Sequence, residues 1–317
     1  MRFVWKRLGQ LVVVLFFVTF FSFLMISLLP GDPAIVRCGV GCSQEDYDKV
    51  REEMGLNRPV IVRYGDWLSQ LLRGNFGSSV VNQEPVSTAL SQRMPVTIEL
   101  LIMSQIIALG IAVPLGVFSA RRPNGAVDKI STLGGFIFLA VPSFVVALLL
   151  QQLFAVKLGW FPATGYRTFT ESPIGNLKDL VLPAVTLALA EIAVYSRILR
   201  GDLLTTLQED YIMMAKAKGL TSRRIMWRHA FRPSTFSLIT VIGLRIGALI
   251  GGTIIIENVF AINGLGLYVI TNILKRDFIP LQGAVVVIAT GYVLINFAVD
   301  MFYAVLDPRI RHARSIA

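Results

Sequence analysis

"LLIMSQIIALGIAVPLGVFSA", residues 100–120, decides the fold class: 21 residues without one charged side chain. A helix crossing the hydrocarbon core of a bilayer needs about 20 apolar residues. The pattern repeats on both sides of this stretch. Residues 8–31, 130–156 and 278–299 are also free of charge, while 180–196 and 233–256 carry one charge each, Glu191 and Arg245. The whole chain is 54% hydrophobic and only 16% charged, outside the usual soluble range. The sequence therefore predicts an all-α polytopic membrane protein with six transmembrane helices, one transmembrane domain over residues 1–317. The first run exceeds the about 7–15 residues of a secretory signal core and ends in "LLPGDP" rather than a small-x-small site, so it reads as an anchor.

Lys and Arg set the orientation, because cytoplasmic connections of membrane proteins carry an excess of them. With the N-terminus inside, the segments 1–7, 121–129, 197–232 and 307–317 hold 17 basic and 5 acidic residues. The longer outer connections 30–94, 157–179 and 257–277 hold 12 of each. Both termini then face the cytoplasm. The net charge of +10 reflects this topology, and no nucleic-acid partner is needed to explain it.

The outer connection 30–94 predicts a small extracytoplasmic cap. Ser43 with Asp46 three residues on forms a capping-box-like start, and Gly55 a stop. Val60, Tyr64, Trp67, Leu68 and Leu71 then recur at helical spacing. The cap either braces the helices or offers a docking surface. Cys38 and Cys42, the only cysteines, lie within it and form either a local disulfide or two free thiols. With no His nearby they make a poor metal site, so no metal is expected.

The densest positive charge falls on "DYIMMAKAKGLTSRRIMWRHAFRPS", residues 210–234. Asp210 to Lys218 reads as a short helix with Tyr211, Met214, Ala215 and Lys218 on one side. Gly219 interrupts it, and Thr221 or Ser222 caps a second helical turn through Arg223 and Trp227. Ala215 and Ala217 followed by Gly219 make a close-approach surface suited to a groove on a cytoplasmic partner.

This segment resembles the coupling loop, or "EAA" loop, of ABC importer permeases, and most nearly that of permeases for dipeptides, oligopeptides, glutathione and nickel. The likeness extends to "LLPGDPA" (28–34), "GWFPATGY" (159–166), "LPAVTLALA" (182–190, followed by Arg197 and Arg200), "GGTIIIENVF" (251–260) and "NFAVDMFYAVLDPRIR" (296–311). The opening is similar to the first of the two permease subunits of such systems. Three positions depart from the family pattern: Met213 and Met214 stand where its acidic residue is found, Asn263 replaces a common Pro, and Pro233 a small residue or Asn.

The resemblance implies a type I importer permease fold, with a coupling loop at 200–233 in which Asp210, Tyr211, Ala215, Ala217, Lys218, Gly219, Arg223, Arg224 and His229 meet an ATPase. It implies a second, homologous permease, two cytoplasmic ABC ATPases and an extracytoplasmic substrate-binding protein. The protein would sit, as a multi-pass protein, among the lipids of the cell membrane. Peptides are the expected cargo, with nickel, glutathione or another small solute as alternatives. No Gly-Lys dipeptide occurs, so no P-loop is present, and ATP and Mg would sit on the partner subunits.

Charges within the spans mark either path or packing. Glu191 and Arg245 lie deep, so Arg245 lines the path or pairs with a carboxylate. Glu99 and Asp300 lie near helix ends and bond neighbouring backbone or Tyr. No catalytic set is expected. His229 and His312 are far apart in sequence, and Asp300 is the only Asp in a span, which excludes an aspartyl dyad. The rival from another class is an ion-coupled secondary transporter relaying protons through Glu99, Glu191 and Asp300; no convincing internal repeat supports it.

Overall fold

The computed structural model describes residues 2–28, 33–39 and 41–306. Within them the backbone is helical and forms no strand, only an isolated bridge between Ser78 and Pro85. Contacts gather the chain into two compact units, residues 1–97 with 263–317 and residues 98–262.

The first unit contains α1 (Arg2–Ser27), α2 (Pro33–Cys38), α3 (Gln44–Glu53), α4 (Val60–Leu72) and the start of α5 (Val86–Arg121). It is completed by α12 (Leu265–Leu274) and α13 (Phe278–Leu306). Ser43 caps α3 as its sequence predicts, its hydroxyl accepting from the Asp46 amide. Tyr64 is the buried residue of α4 and meets α1, its hydroxyl 3.0 Å from Thr19 Oγ1 and its ring edge-on to Phe20 and Phe23. This aromatic seam ties the cap to the first span. Near the start of α5, Val86, Ala89 and Leu90 pack with Leu265, Tyr268 and Leu281. Asp277, 1% exposed, accepts from Ser79 Oγ at 2.6 Å and from the Val80 amide at 3.3 Å.

The second unit holds the rest of α5 with α6 (Ala126–Ala140), α7 (Ser143–Leu150, continued by a π-helical turn Gln151–Lys157), α8 (Pro173–Thr206) and α9 (Asp210–Ala217). After α10 (Ser222–Arg224) a π-helical turn, Ile225–Ala230, leads directly into α11 (Phe231–Val259). Helix α8 is the core of this unit, packed against α6, α7 and α11. At Gly116 of α5 an added Cβ would stand 3.0 Å from the Ser196 carbonyl of α8, so any larger residue would crowd that approach.

Among the described residues four helical stretches are long and apolar enough to span a membrane: Arg7–Ser27, Val86–Arg121, Ser222–Val259 and Phe278–Val299. A bent pair, Ala126–Ala140 and Ser143–Lys157, makes a fifth if counted as one span. Three expectations change. The run 130–156 is not one straight helix, because its halves meet at 105°. The break is at Val141-Pro142: Val141 is extended (φ −85°, ψ 127°), as a residue before proline prefers, and Pro142 has no amide to continue the ladder. The helix containing 100–120 begins earlier, at Val86. Arg93 and Glu99 end the apolar run there but not the helix, and Arg93 lies over the Tyr268 ring at 4.4 Å. The stretch 180–196 lies inside α8, whose charge-free core between Asp179 and Glu191 is only 11 residues long. Its buried position removes the need for a continuous apolar surface.

Candidate functional site

The 210–232 segment is built around α9 and its ending. Gly219 adopts φ +77°, the left-handed region open to glycine. Its amide donates to the Lys216 carbonyl at 2.9 Å, and the Leu220 amide to the Ala215 carbonyl at 3.2 Å. These two bonds close the helix as a Schellman motif. Thr221 then caps the next turn, its hydroxyl accepting from the Arg224 amide. Tyr211 donates its hydroxyl to the His229 carbonyl at 3.2 Å, holding α9 against the π turn. Burial, then the Glu209 charge, pushes the Tyr211 phenol above its ordinary value.

Which face of α9 is free differs from expectation. Ala215 is buried and Ile212 fully so, both packed with Ile225, Met226 and Ala230 of their own chain. Ala215 therefore packs beneath the loop, against its own chain. Exposed instead are Tyr211, Met213, Met214, Ala217, Lys218 and Gly219, with Arg223 and Arg224 beyond. The two methionines that stand where the family has its acidic residue are thus the outward apolar contacts of α9.

The deep charges in the second unit pair with each other. Arg245 donates through Nε to Glu191 Oε2 at 3.0 Å and through Nη2 to Oε1 at 2.8 Å. The Glu191 side chain is 3% exposed and that of Arg245 34%. Arg245 lies 14 residues from each end of α11, on the order of 21 Å at 1.5 Å per residue. One turn on from Glu191, the fully buried Tyr195 donates to Gln105 Oε1 at 3.1 Å. The amide nitrogen of Gln105 is buried without a partner. Bidentate geometry is what keeps a guanidinium tolerable at this depth.

Glu99 belongs to a separate cluster around the "GWFPATGY" connection, accepting from Tyr166 Oη at 2.7 Å and Asn176 Nδ2 at 3.1 Å. Burial, then Glu99, pushes the Tyr166 phenol up. The adjacent Arg167 donates to both Asp179 oxygens, at 2.9 and 2.5 Å, and holds that carboxyl below its usual range against the opposing cost of burial. Glu99, Glu191 and the 210–232 segment are therefore three sites, not one. Asp300 lies on α13, but its side chain and His312 fall outside the described residues. Cys38 and Cys42 are joined, with Cα atoms 5.7 Å apart. Among the described residues no group of three His, Cys, Asp or Glu side chains gathers to hold a metal ion.

A further pair escaped the sequence reading. Arg200 of α8 donates to Asp128 of α6, Nη2 at 2.7 Å from Oδ2 and Nε against Oδ1, while Asp128 also accepts the Asn124 amide at 2.8 Å. Its signal was available: Asp128 is the single acid in the otherwise basic connection 121–129.

Residues 112–312 match the family described as the inner membrane component of binding-protein-dependent transport systems, and residues 1–101 match the N-terminal family of the same membrane component. A Brucella abortus protein named as a peptide transport system permease is 39% identical over 97% of this chain and 98% of its own length. The oligopeptide transport system permease protein AppB of Bacillus subtilis is 37% identical over 97% of this chain and 98% of its own. The glutathione transport system permease protein GsiC of Pectobacterium atrosepticum is 34% identical over 97% and 98%. The helical, repeatedly apolar fold and these matches lead to one conclusion: the chain is a multi-pass inner-membrane protein and belongs to the family of binding-protein-dependent transport system permeases, the membrane components of ABC importers.

Proposed function

We propose that the chain is one of two permease subunits of an importer for dipeptides or oligopeptides, forming half of the path. It spans the membrane six times with both termini inside; α8 is the fourth span. A homologous permease supplies the other half, an extracytoplasmic binding protein delivers the cargo, and two cytoplasmic ATPases carry ATP and Mg. The chain has no catalytic role of its own. The observation that carries this reading is α9: a helix closed at Gly219, with Met213 and Met214 exposed and not packed on its own chain and the half-exposed Tyr211 beside them. An apolar handle flanked by bases suits a cleft on a partner. The names of the relatives favour peptides, and the relatives named for glutathione, itself a tripeptide, make it the second cargo.

The test is capture of the tagged chain from its native membrane, intact and as Gly219→Arg. Recovery of a second permease and P-loop ATPases, with the ATPases lost from the variant, supports the assignment. An intact chain that comes down alone removes it. Uptake of a labelled peptide should survive an ionophore and stop on ATP depletion; the opposite dependence would establish a secondary transporter.

A further inference from the structure

Three neighbouring pairs recur every fourth residue where the chain enters its third long apolar stretch: Arg223-Arg224, Trp227-Arg228 and Phe231-Arg232. Helical geometry puts residues four apart on one face. A hollow of about 600 Å³ opens along that face, lined by Thr221, Arg223, Arg224, Trp227, Arg228 and Arg232. Trp227 is 47% exposed and leans on Phe231 with ring centroids 5.1 Å apart. None of the four guanidinium groups has an acidic partner among the described residues; Glu209 and Asp210, the nearest acids in sequence, pair with none of them. Four unpaired arginines on so short a stretch repel one another, and an anion placed among them relieves that repulsion.

Depth says which anion. The helical stretch Ser222–Val259 has 38 residues, about 57 Å at 1.5 Å per residue, against a hydrocarbon core about 30 Å thick. Its first turns therefore lie at the level of the lipid headgroups. Trp and Arg are the side chains suited to that layer, the indole for its amphipathic ring and the guanidinium for bidentate bonds to phosphate. Arg232 is the second residue of the α11 rod, at the edge of its apolar length, where a water-borne protein surface has little access. Met213 and Met214 of α9 are the better protein contact.

We propose that the hollow framed by Arg223, Arg224, Trp227, Arg228 and Arg232 binds the headgroup phosphate of an anionic phospholipid. This goes beyond the transport assignment and needs only that the chain spans a membrane. The site differs from general attraction of basic loops to anionic membranes in holding one lipid beside one indole.

The test uses the full chain in nanodiscs, with Trp227 as the only tryptophan (Trp5, Trp67 and Trp160 changed to Phe). Brominated phosphatidylglycerol or brominated phosphatidylcholine is added at equal mole fraction in a phosphatidylcholine background. Phosphatidylglycerol should quench Trp227 preferentially, more so at low salt. Arg224→Gln/Arg228→Gln/Arg232→Gln should lower that preference by on the order of a hundredfold, from a factor of about five for each arginine near a membrane surface, with helical content unchanged. Should the triple variant lose its helical content, Arg228→Gln alone must lower the preference about fivefold. Equal quenching by the two lipids overturns the proposal. So does full competition by millimolar glycerol phosphate or inorganic phosphate, which would make it a site for a free anion. An arginine variant that keeps the lipid preference yet loses captured ATPase would reassign the cluster to the protein partner and also overturn the proposal.

Discussion

The Glu191–Arg245 pair supports a prediction with an internal asymmetry. Removing one member of a buried pair strands the other charge, which typically costs about 3–5 kcal/mol, whereas replacing both by apolar groups is often neutral. The two members are not equally buried here: the Glu191 side chain is 3% exposed and that of Arg245 34%. Arg245→Met leaves a fully enclosed carboxylate and should show the full cost. Glu191→Leu leaves a guanidinium that is 34% exposed, so its cost should fall below the about 2.5–3.5 kcal/mol of placing Arg at a helix centre, to on the order of 2 kcal/mol. Glu191→Leu/Arg245→Met should recover most of the loss. The assay is thermal melting of the purified chain in nanodiscs, followed by helical circular dichroism at fixed lipid composition. At roughly 2–4 °C per kcal/mol, Arg245→Met should melt roughly 6–20 °C below the parent, and Glu191→Leu by about half as much. A larger loss in Glu191→Leu than in Arg245→Met, or a double variant no better than the worse single one, would refute the reasoning.

Other outcomes follow from individual contacts. Gly219→Ala meets no neighbouring atom, so its cost is the left-handed backbone alone, about 1 kcal/mol; exchange of the Leu220 amide should quicken about fivefold and the melting temperature should fall by about 2–4 °C. At Gly283 an added Cβ would lie 2.7 Å from Val86 Cγ1, so Gly283→Ala should destabilise by about 1–3 kcal/mol, and Val86→Ala should restore it. Asp179 has a depressed folded pKa, so its pairing with Arg167 stabilises the 157–179 connection above the unfolded value of about 3.9. That contribution falls away as pH drops through the folded value, and proteolysis of the connection should show an acid limb that Asp179→Asn abolishes. A membrane-impermeant maleimide added to intact cells should label Cys38 and Cys42 only after reduction; labelling without reductant would refute the pairing, and labelling that requires permeabilised cells would refute the outward orientation.

What the sequence conveyed divides along physical lines. Runs such as 100–120 are readable because lipid tolerates no charge along a helix. The caps at Ser43 and Thr221 and the stop at Gly219 are readable because each satisfies local backbone groups within four residues. The free face of α9 was not readable. Tyr211, Ile212, Met213, Met214 and Ala215 are all apolar enough to be buried, and only the later arrival of Ile225 and Met226 decides for Ile212 and Ala215. The grip of Arg200 on Asp128 depends likewise on two helices meeting across 72 positions of sequence. The bend at Pro142 was the opposite case, a local signal overshadowed by the apolar run around it.

The unbroken passage from Thr221 through the π turn into α11 also fixes how a displacement travels. A segment joined to its span by a floppy connection would absorb a push as slack. Here the knob and the rod are one piece, with Ile212 and Ala215 seated directly on the turn at the rod's foot. A sideways shift of about 3 Å at the foot of a rod about 57 Å long corresponds to a tilt of only about 3°. Under the proposed coupling, a displacement of the knob would therefore tilt the helix as one unit instead of being lost in a flexible joint.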